Sequence, residues 1–323
     1  MHLLLSTDKN YIMPSAVMMK SVSVNNAEEE VIFHILIDQG VSVFQQEQLK
    51  RSISNPRHSI IFHLVEDKYF DGFPMGNIKA YITKATYYRL IVTDILPDDV
   101  HKIIYLDGDI IVKESLWDLW NTDISNYAIG AVTDLAENRH DYHRLGYPKA
   151  EGYFNAGVLL INVDYWRENR LKDVFYQLIS KEPDRIVLHD QDVLNITLHD
   201  KKLILPIKYN LQNGFLMKPE YTELGDRYRE YEQDLLSAIK KPTIIHFTST
   251  IKPWHIEDAN PYSYEFIKYY KQTEWRSFPL TECGSQHIIR HWGGKILRLL
   301  HIVSKRNTEW KKFYSIEEIN KIK

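Results

Sequence analysis

The chain has 323 residues, enough for one large α/β domain or two smaller ones with a sizeable core, and its composition is that of an ordinary globular protein. A formal net charge of −3 supplies no global basic field, which argues against a general nucleic-acid binder. Cys283 is the single cysteine, so no internal disulfide can form, which suits a reducing cytoplasm.

The chain opens with a short apolar run, His2 to Ser6, that lacks the basic flank of a secretory signal. A polar turn, Thr7-Asp8-Lys9-Asn10, leads into a helical pattern with Pro14 near its start and Val17, Met18 and Val22 on one side. Val31 to Ile37 reads as a strand, Val43 to Ser52 as a polar-faced helix, and Ser59 to Val65 as a third strand. This alternation predicts a mostly parallel sheet flanked by helices, with ligands bound outside the carboxyl ends of its strands. Ile103 to Leu106 and Ile110 to Val112 read as buried strands. "YFNAGVLLINVDYW", 153 to 166, reads as a loop, a buried strand and the start of a helical stretch running to about Ser180. "VLHDQDVLN", 187 to 195, follows as an apolar strand leading into polar residues, then loops and one helix between about 211 and 240. "PTIIHFTSTIKPWH", 242 to 255, is a last strand and loop. No repeat or low-complexity segment interrupts the chain, and no run approaches the ~20 apolar residues that span a bilayer.

After Cys283 the character changes. "HIIRHWGGKILRLLHIVSKRNTEWKKF" mixes Ile, Leu and Trp with basic residues, as an amphipathic stretch suited to an anionic membrane surface does. The plain alternative is a C-terminal helix docked on the core, although Gly293-Gly294 would interrupt any helix.

The chemistry starts at "YLDGDIIV", 105 to 112, where two apolar runs are joined through Asp107-Gly108-Asp109. Alternate side chains of an extended chain face one way, so both carboxylates can converge. They repel unless a cation or proton lies between them, and a divalent metal completed by phosphate oxygens resolves the conflict. Gly108 permits a tight turn and close approach of a ligand. An acidic turn closing a strand is the bland alternative. His246, after Thr243-Ile244-Ile245, sits at another predicted strand end. Imidazole beside two carboxylates favours Mn²⁺ over Mg²⁺, whereas His246 by itself would pass for a core residue. Lys252 suits a diphosphate as a point charge. In "HDQD" Asp190 and Gln191 can face a reacting centre while Asp192 begins a helix as an N-terminal acid, although a capping cluster has the same look. Asn155 opens the "FNAGVLLIN" strand, Gly157 permits close backbone approach there, and Arg89 lies in a helix-like stretch.

"STDKNY", "TYYRL", "YLDGDIIV", "YFNAGVLLIN", "HDQDVLN" and "HFTSTIKPWH" occur in the order found in glycosyltransferase family 8, and the chain resembles its bacterial lipopolysaccharide galactosyl- and glucosyltransferases from residue 1 to about 282. The resemblance implies a GT-A fold, a mostly parallel sheet flanked by helices over 1–282 with a C-terminal helical tail over 283–323, and the basic-aromatic character of that tail, read above as a membrane-surface attachment, is also seen in the group. It also implies a UDP-hexose donor, Mn²⁺ (or Mg²⁺), a saccharide or glycolipid acceptor, and retention at the anomeric carbon. Carried onto this sequence, Asp107, Asp109 and His246 bind the metal, and Asp8, Asn10 and Tyr11 hold the uridine. Lys252 meets the diphosphate. Arg89, Asp134, Asn155, Ala156, Asp190 and Gln191 surround the sugar, with Gln191 facing the reacting side of the anomeric carbon. Two positions depart from the family pattern. Lys9 replaces an acid, and Ser249 stands where close relatives carry a phosphate-loop glycine, leaving a hydroxyl for phosphate.

These expectations describe a retaining hexosyltransferase in the cytoplasm, peripheral on the inner face of the cytoplasmic membrane, acting in lipopolysaccharide or other surface-glycan synthesis. A sugar-nucleotide pyrophosphorylase or hydrolase would share the metal and diphosphate contacts, but the chain lacks a Gly-rich basic loop after its first strand. A non-catalytic sugar-nucleotide-binding adaptor is at odds with the intact Asp107, Asp109, His246, Asp190 and Gln191.

Overall fold

The computed structural model describes residues 1–74, 84–136, 140–221, 228–256, 258–281 and 312–322. Ten strands are present among them: β1 (His2–Thr7), β2 (Val31–Ile37), β3 (His58–Leu64), β4 (Lys102–Leu106), β5 (Ile110–Val112), β6 (Ile129–Thr133), β7 (Phe154–Asn162), β8 (Lys202–Ile204), β9 (Leu211–Gln212) and β10 (Ile244–His246). Seven form the main sheet in the order β3-β2-β1-β4-β7-β6-β8, and their pairings make β7 the one strand that runs against the others. Alternation along the strands feeds two cores, one on each face. Leu3, Leu5, Ile104 and Leu106 enter one, and Leu4, Ile103 and Tyr105 the other.

Helix α1 (Ile12–Asn25) is buried almost all round because it lies between the main sheet and a small second sheet, β5-β10-β9. Its polar residues serve the free edge of β5. Ser21 Oγ accepts from the Val112 amide at 3.0 Å, Asn25 donates to the Val112 carbonyl at 2.9 Å, and the neighbouring Asn26 accepts from the Leu116 amide at 2.7 Å. Helix α2 (Val43–Ser52) starts at a Ser42/Gln45 capping box and ends in Lys50 and Arg51, as the helix dipole favours.

The structure adds one feature and revises two expectations. The two halves of "YLDGDIIV" belong to different sheets: β4 is central in the large one, while β5 pairs antiparallel with β10. No strand precedes "HDQD". A short 3₁₀ turn, Pro183–Arg185, leads through Ile186–Leu188 into the helix His189–Leu198. The irregular 211–240 region contains β9 as well as the helix Tyr228–Lys240.

The basic stretch beyond 281 lies outside the described residues as far as 311. The end of the chain is described, and it packs on the domain. Phe313 bridges to Met217, the Lys218 amide donates to the Lys312 carbonyl at 2.7 Å, and Ile319 of the helix Ile316–Lys321 enters the main core. Among the described residues, no helix is long and apolar enough to cross a membrane.

Candidate active site

Sheet pairing brings the two carboxylates and the imidazole together. Asp107 follows β4, whose run is extended by the Asp107 amide donating to the Gly157 carbonyl at 2.9 Å. Asp109 precedes β5, and His246, the last residue of β10, stands opposite Ile110. The Phe247 amide donates to the Asp109 carbonyl at 3.0 Å, closing the junction. His246 Nε2 therefore lies 3.3 Å from Asp109 Oδ1 and 3.7 Å from Asp107 Oδ2. Asp107, Asp109 and His246 offer ligand atoms that all fall within 4.8 Å of one another.

Gly108 is not in the left-handed region, since the positive-φ glycines described are Gly72, Gly146 and Gly152. Glycine at 108 leaves room instead: a Cβ there would meet Ser15 Oγ and Tyr11 Cδ1 at 3.0 Å, tight contacts that a small shift relieves. Gly157 is tighter, because its Cβ would fall 2.1 Å from His246 Cε1. The strand behind the cluster is hollowed to seat the imidazole.

Counter-charges surround the carboxylates. Arg89 is 4 % exposed and sits at the end of the 3₁₀ helix Lys84–Ile91. Its Nη2 donates to Asp107 Oδ1 at 2.9 Å, its Nε lies 3.0 Å from Asp190 Oδ2, and its guanidinium lies 4.0 Å from the Tyr105 ring centre. Burial opposes its charge, but Asp107 and Asp190 outweigh burial and hold Arg89 protonated. The exposed salt-bridge role usual for a helical arginine is replaced by a buried one. Tyr105 adds its hydroxyl to Asp107 Oδ1 at 2.8 Å. Lys252 Nζ donates to Asp109 Oδ2 at 2.6 Å and to the Phe247 carbonyl at 2.7 Å. Burial alone would raise the Asp109 carboxyl, yet Lys252 holds it well below the usual carboxylate range. Asp190 is different. Burial raises it, Arg89 pulls it back only in part, and Thr86 donates to its Oδ1 at 2.6 Å.

A cavity of about 180 Å³ opens at this edge of the sheet, lined by Asp8, Tyr11, Arg89, Asp107, Asp109 and Lys252 among others. Asp8 shapes the loop after β1 by accepting from the amides of Asn10 (2.7 Å) and Tyr11 (3.1 Å), and the Tyr11 ring meets Trp254 edge-on at 5.7 Å. Lys9 and Asn10, between them, are exposed.

Beside the cavity lies a second network built on the start of β7. Gln191 Oε1 accepts from the Ala156 amide at 2.9 Å, and its Nε2 points to Asp134 Oδ2 at 3.4 Å. Asn155 donates to the same Asp134 oxygen at 3.1 Å. Burial disfavours the Asp134 carboxylate, but His140, Asn155 and the Ala136 amide lower its pKa overall. Asp192 does more than cap a helix. Its buried carboxylate accepts from the Val187 and Leu188 amides (2.7 Å each), Tyr153 (2.7 Å) and Arg144 (2.8 Å), fixing the turn that presents Asp190 and Gln191. His189, just before them, has a φ of 51°, uncommon for a non-glycine residue. Ser249 accepts from Asn213, beyond β9, at 3.0 Å and donates to the Ile251 carbonyl of its own loop.

The sequence reading passed over Thr86, Tyr105, Arg144, Asn210 and Gln212. Gln212 brackets Asp134, donating to the Thr133 carbonyl at 2.9 Å and accepting from the Leu135 amide at 3.0 Å. The one trace of the last two in the sequence is "NLQN", three amides around a single leucine, which names no partner for any of them.

The sequence model described as "Glycosyl transferase family 8" matches residues 2–258. General stress protein A of Bacillus subtilis is 29 % identical over 280 residues, covering 86 % of this chain and 95 % of that protein. Lipopolysaccharide 1,3-galactosyltransferase of Salmonella typhimurium is 28 % identical over 310 residues, covering 93 % and 86 %. The crystal structure of the galactosyltransferase LgtC in complex with donor and acceptor sugar analogs superposes with a TM-score of 0.75 at 28 % identity, over 85 % of this chain and 99 % of that one. The mostly parallel seven-stranded sheet with its flanking helices is the GT-A arrangement of these glycosyltransferases. The chain belongs to glycosyl transferase family 8.

Proposed function

We propose that this protein is a retaining, metal-dependent hexosyltransferase that moves galactose or glucose from a UDP-sugar to a saccharide acceptor in lipopolysaccharide or other cell-surface glycan synthesis. The observation that carries the reading is the convergence of Asp107, Asp109 and the buried His246, with the two carboxylates and Lys252 lining one cavity. Two relatives, the Salmonella 1,3-galactosyltransferase and an Escherichia coli lipopolysaccharide 1,2-glucosyltransferase, support a hexose and a glycan acceptor.

The two-carboxylate, one-imidazole donor set and the hollow at Gly157 fit a borderline divalent ion, with Mn²⁺ favoured and Mg²⁺ admissible. When bound, such an ion supplies Lewis-acid stabilisation of the departing diphosphate. The protein's own groups do the rest. Asp8, Asn10 and Tyr11 hold the uridine at the end of β1. Lys252, already buried beside Asp109, gives the diphosphate a fixed positive charge in a site of low dielectric. Arg89, Asp134, Asn155 and Ala156 orient the sugar, and the Ser249 loop flanks the phosphates. Asp190 stabilises positive charge developing at the anomeric carbon.

Gln191 positions rather than attacks. An amide is a poor nucleophile, and its oxygen is occupied by the Ala156 amide. Retention then follows from attack by the acceptor hydroxyl on the face that UDP leaves, with the departing phosphate oxygen taking the hydroxyl proton. The basic stretch after 282 attaches the enzyme peripherally to the inner face of the cytoplasmic membrane, and flotation with anionic vesicles tests that attachment.

Product analysis tests the reaction. UDP plus a new glycoside of unchanged anomeric configuration supports it. UMP plus sugar phosphate would make the protein a pyrophosphatase, and a hexosyl group trapped on Gln191 or Asp190 would replace front-face attack by double displacement.

A further inference from the structure

We infer that Asn210 is a positioning residue that sets the tautomer of His246 and ties it to the sugar side of the site; this rests on the metal-site reading above. Asn210 is completely buried, between β9 and the 3₁₀ turn Ile207–Tyr209. Its side chain touches both networks: His246 Nδ1 lies 2.9 Å from its Oδ1, and its Nδ2 lies 2.9 Å from Asn155 Oδ1.

Amide and imidazole orientations are fixed only by their hydrogen-bond partners, and here the chain of partners starts at the backbone. The Gly157 amide donates to Asn155 Oδ1 at 3.0 Å. A backbone N–H can only donate, so the atom it meets is the carbonyl oxygen of Asn155. Facing that oxygen, Asn210 must present its NH₂ group, which turns its own oxygen towards His246. An amide oxygen only accepts, so His246 Nδ1 must carry the proton. Nε2 is then left with its lone pair aimed at Asp107 and Asp109, 3.7 and 3.3 Å away. That is the tautomer a metal ligand needs, held by an outer-shell partner. The other half of Asn155 donates to Asp134 at 3.1 Å, so the same chain of bonds reaches the residues placed around the donor sugar.

Two substitutions separate orientation from simple packing. Asn210→Leu keeps the branched outline with somewhat more bulk and removes both bonds, whereas Asn210→Asp keeps an acceptor for His246 Nδ1, loses the donor to Asn155 and adds a carboxylate. We expect Asn210→Leu to weaken Mn²⁺ binding, measured by titration calorimetry, about 10–100-fold. Asn210→Asp should retain wild-type Mn²⁺ affinity. At a pH where the ring is neutral, ¹⁵N NMR of the metal-free wild type should show His246 as the Nδ1–H tautomer, and Asn210→Leu should show a mixture. If Asn210→Leu does not fold, the wild-type tautomer and the Asn210→Asp titration still decide. An Nε2–H tautomer in wild type, or wild-type Mn²⁺ affinity in folded Asn210→Leu, would overturn the inference. If wild type itself binds no Mn²⁺, the metal-site reading fails, and the tautomer still reports separately on Asn210.

Discussion

Gly157→Ala is a sharp test of the site's geometry. The added methyl would lie 2.1 Å from His246 Cε1 and 2.8 Å from Asp107 Oδ2 and His246 Nδ1, where ordinary contact begins at 3.4 Å. The imidazole would have to move by more than an ångström, yet Asn210 holds one edge and the two carboxylates face the other. Overpacking of a close-packed site costs about 1–3 kcal/mol. Turning a ligand away from its metal should cost at least the ~10–100-fold in affinity seen when outer-shell support is lost. Thermal denaturation and Mn²⁺ titration measure the two effects. Gly108→Ala serves as the comparison, since its Cβ meets side-chain atoms only at 3.0 Å and a few tenths of an ångström relieve it. Gly157→Ala should therefore lose Mn²⁺ binding while Gly108→Ala largely keeps it. Equal, undiminished binding by both would mean that His246 does not occupy the place assigned to it.

Other outcomes follow from single contacts. Arg89→Ala leaves Asp107 and Asp190 without their shared buried cation and should cost about 3–5 kcal/mol in denaturant unfolding. Ile319→Ala opens a cavity where the end of the chain meets the core, at about 2–5 kcal/mol, while Mn²⁺ affinity stays as in wild type. A third outcome concerns pH. His2, His34 and His63 form a chain across β1, β2 and β3, with His34 within 3.0 Å of each neighbour. Burial, then His63 and His2, lowers His34 to about 4. The unfolded chain therefore binds more protons between about pH 6.5 and 4, so stability is full above that window and falls through it on acidification. The shift corresponds to at most about 3 kcal/mol. Denaturant midpoints at pH 7.5 and 5, compared with those of His34→Gln, check it, and an unchanged pH dependence in the variant would assign the effect elsewhere.

The parts of the fold that were legible are those with a local period. β1, β2 and α2 stand where the apolar runs and the polar-faced helical pattern put them, because their patterns reflect burial that each segment decides by itself. Assignment of β5 to a second sheet was hidden, since three apolar residues after Gly108 look the same in either sheet. β9, with two residues, has no period at all. In the site, Asp107 and Asp109 were visible because carboxylates between apolar runs need a reason. Asn210 and Gln212 were not, because buried amides are accounted for only when their partners, distant in sequence, are known. The left-handed His189 likewise left no mark in the sequence, for its strain is imposed by Asp192 gripping the two preceding amides.

The central claim is that Asp107, Asp109 and His246 form a metal site that carries a UDP-hexose. The most direct measurement is release of UDP from a panel of UDP-sugars, with and without Mn²⁺, by wild type and Asp109→Asn. The account predicts Mn²⁺-dependent release from one UDP-hexose, slow without acceptor and lost in the variant. Metal-independent release, equal release by Asp109→Asn, or no turnover of any UDP-sugar would contradict it.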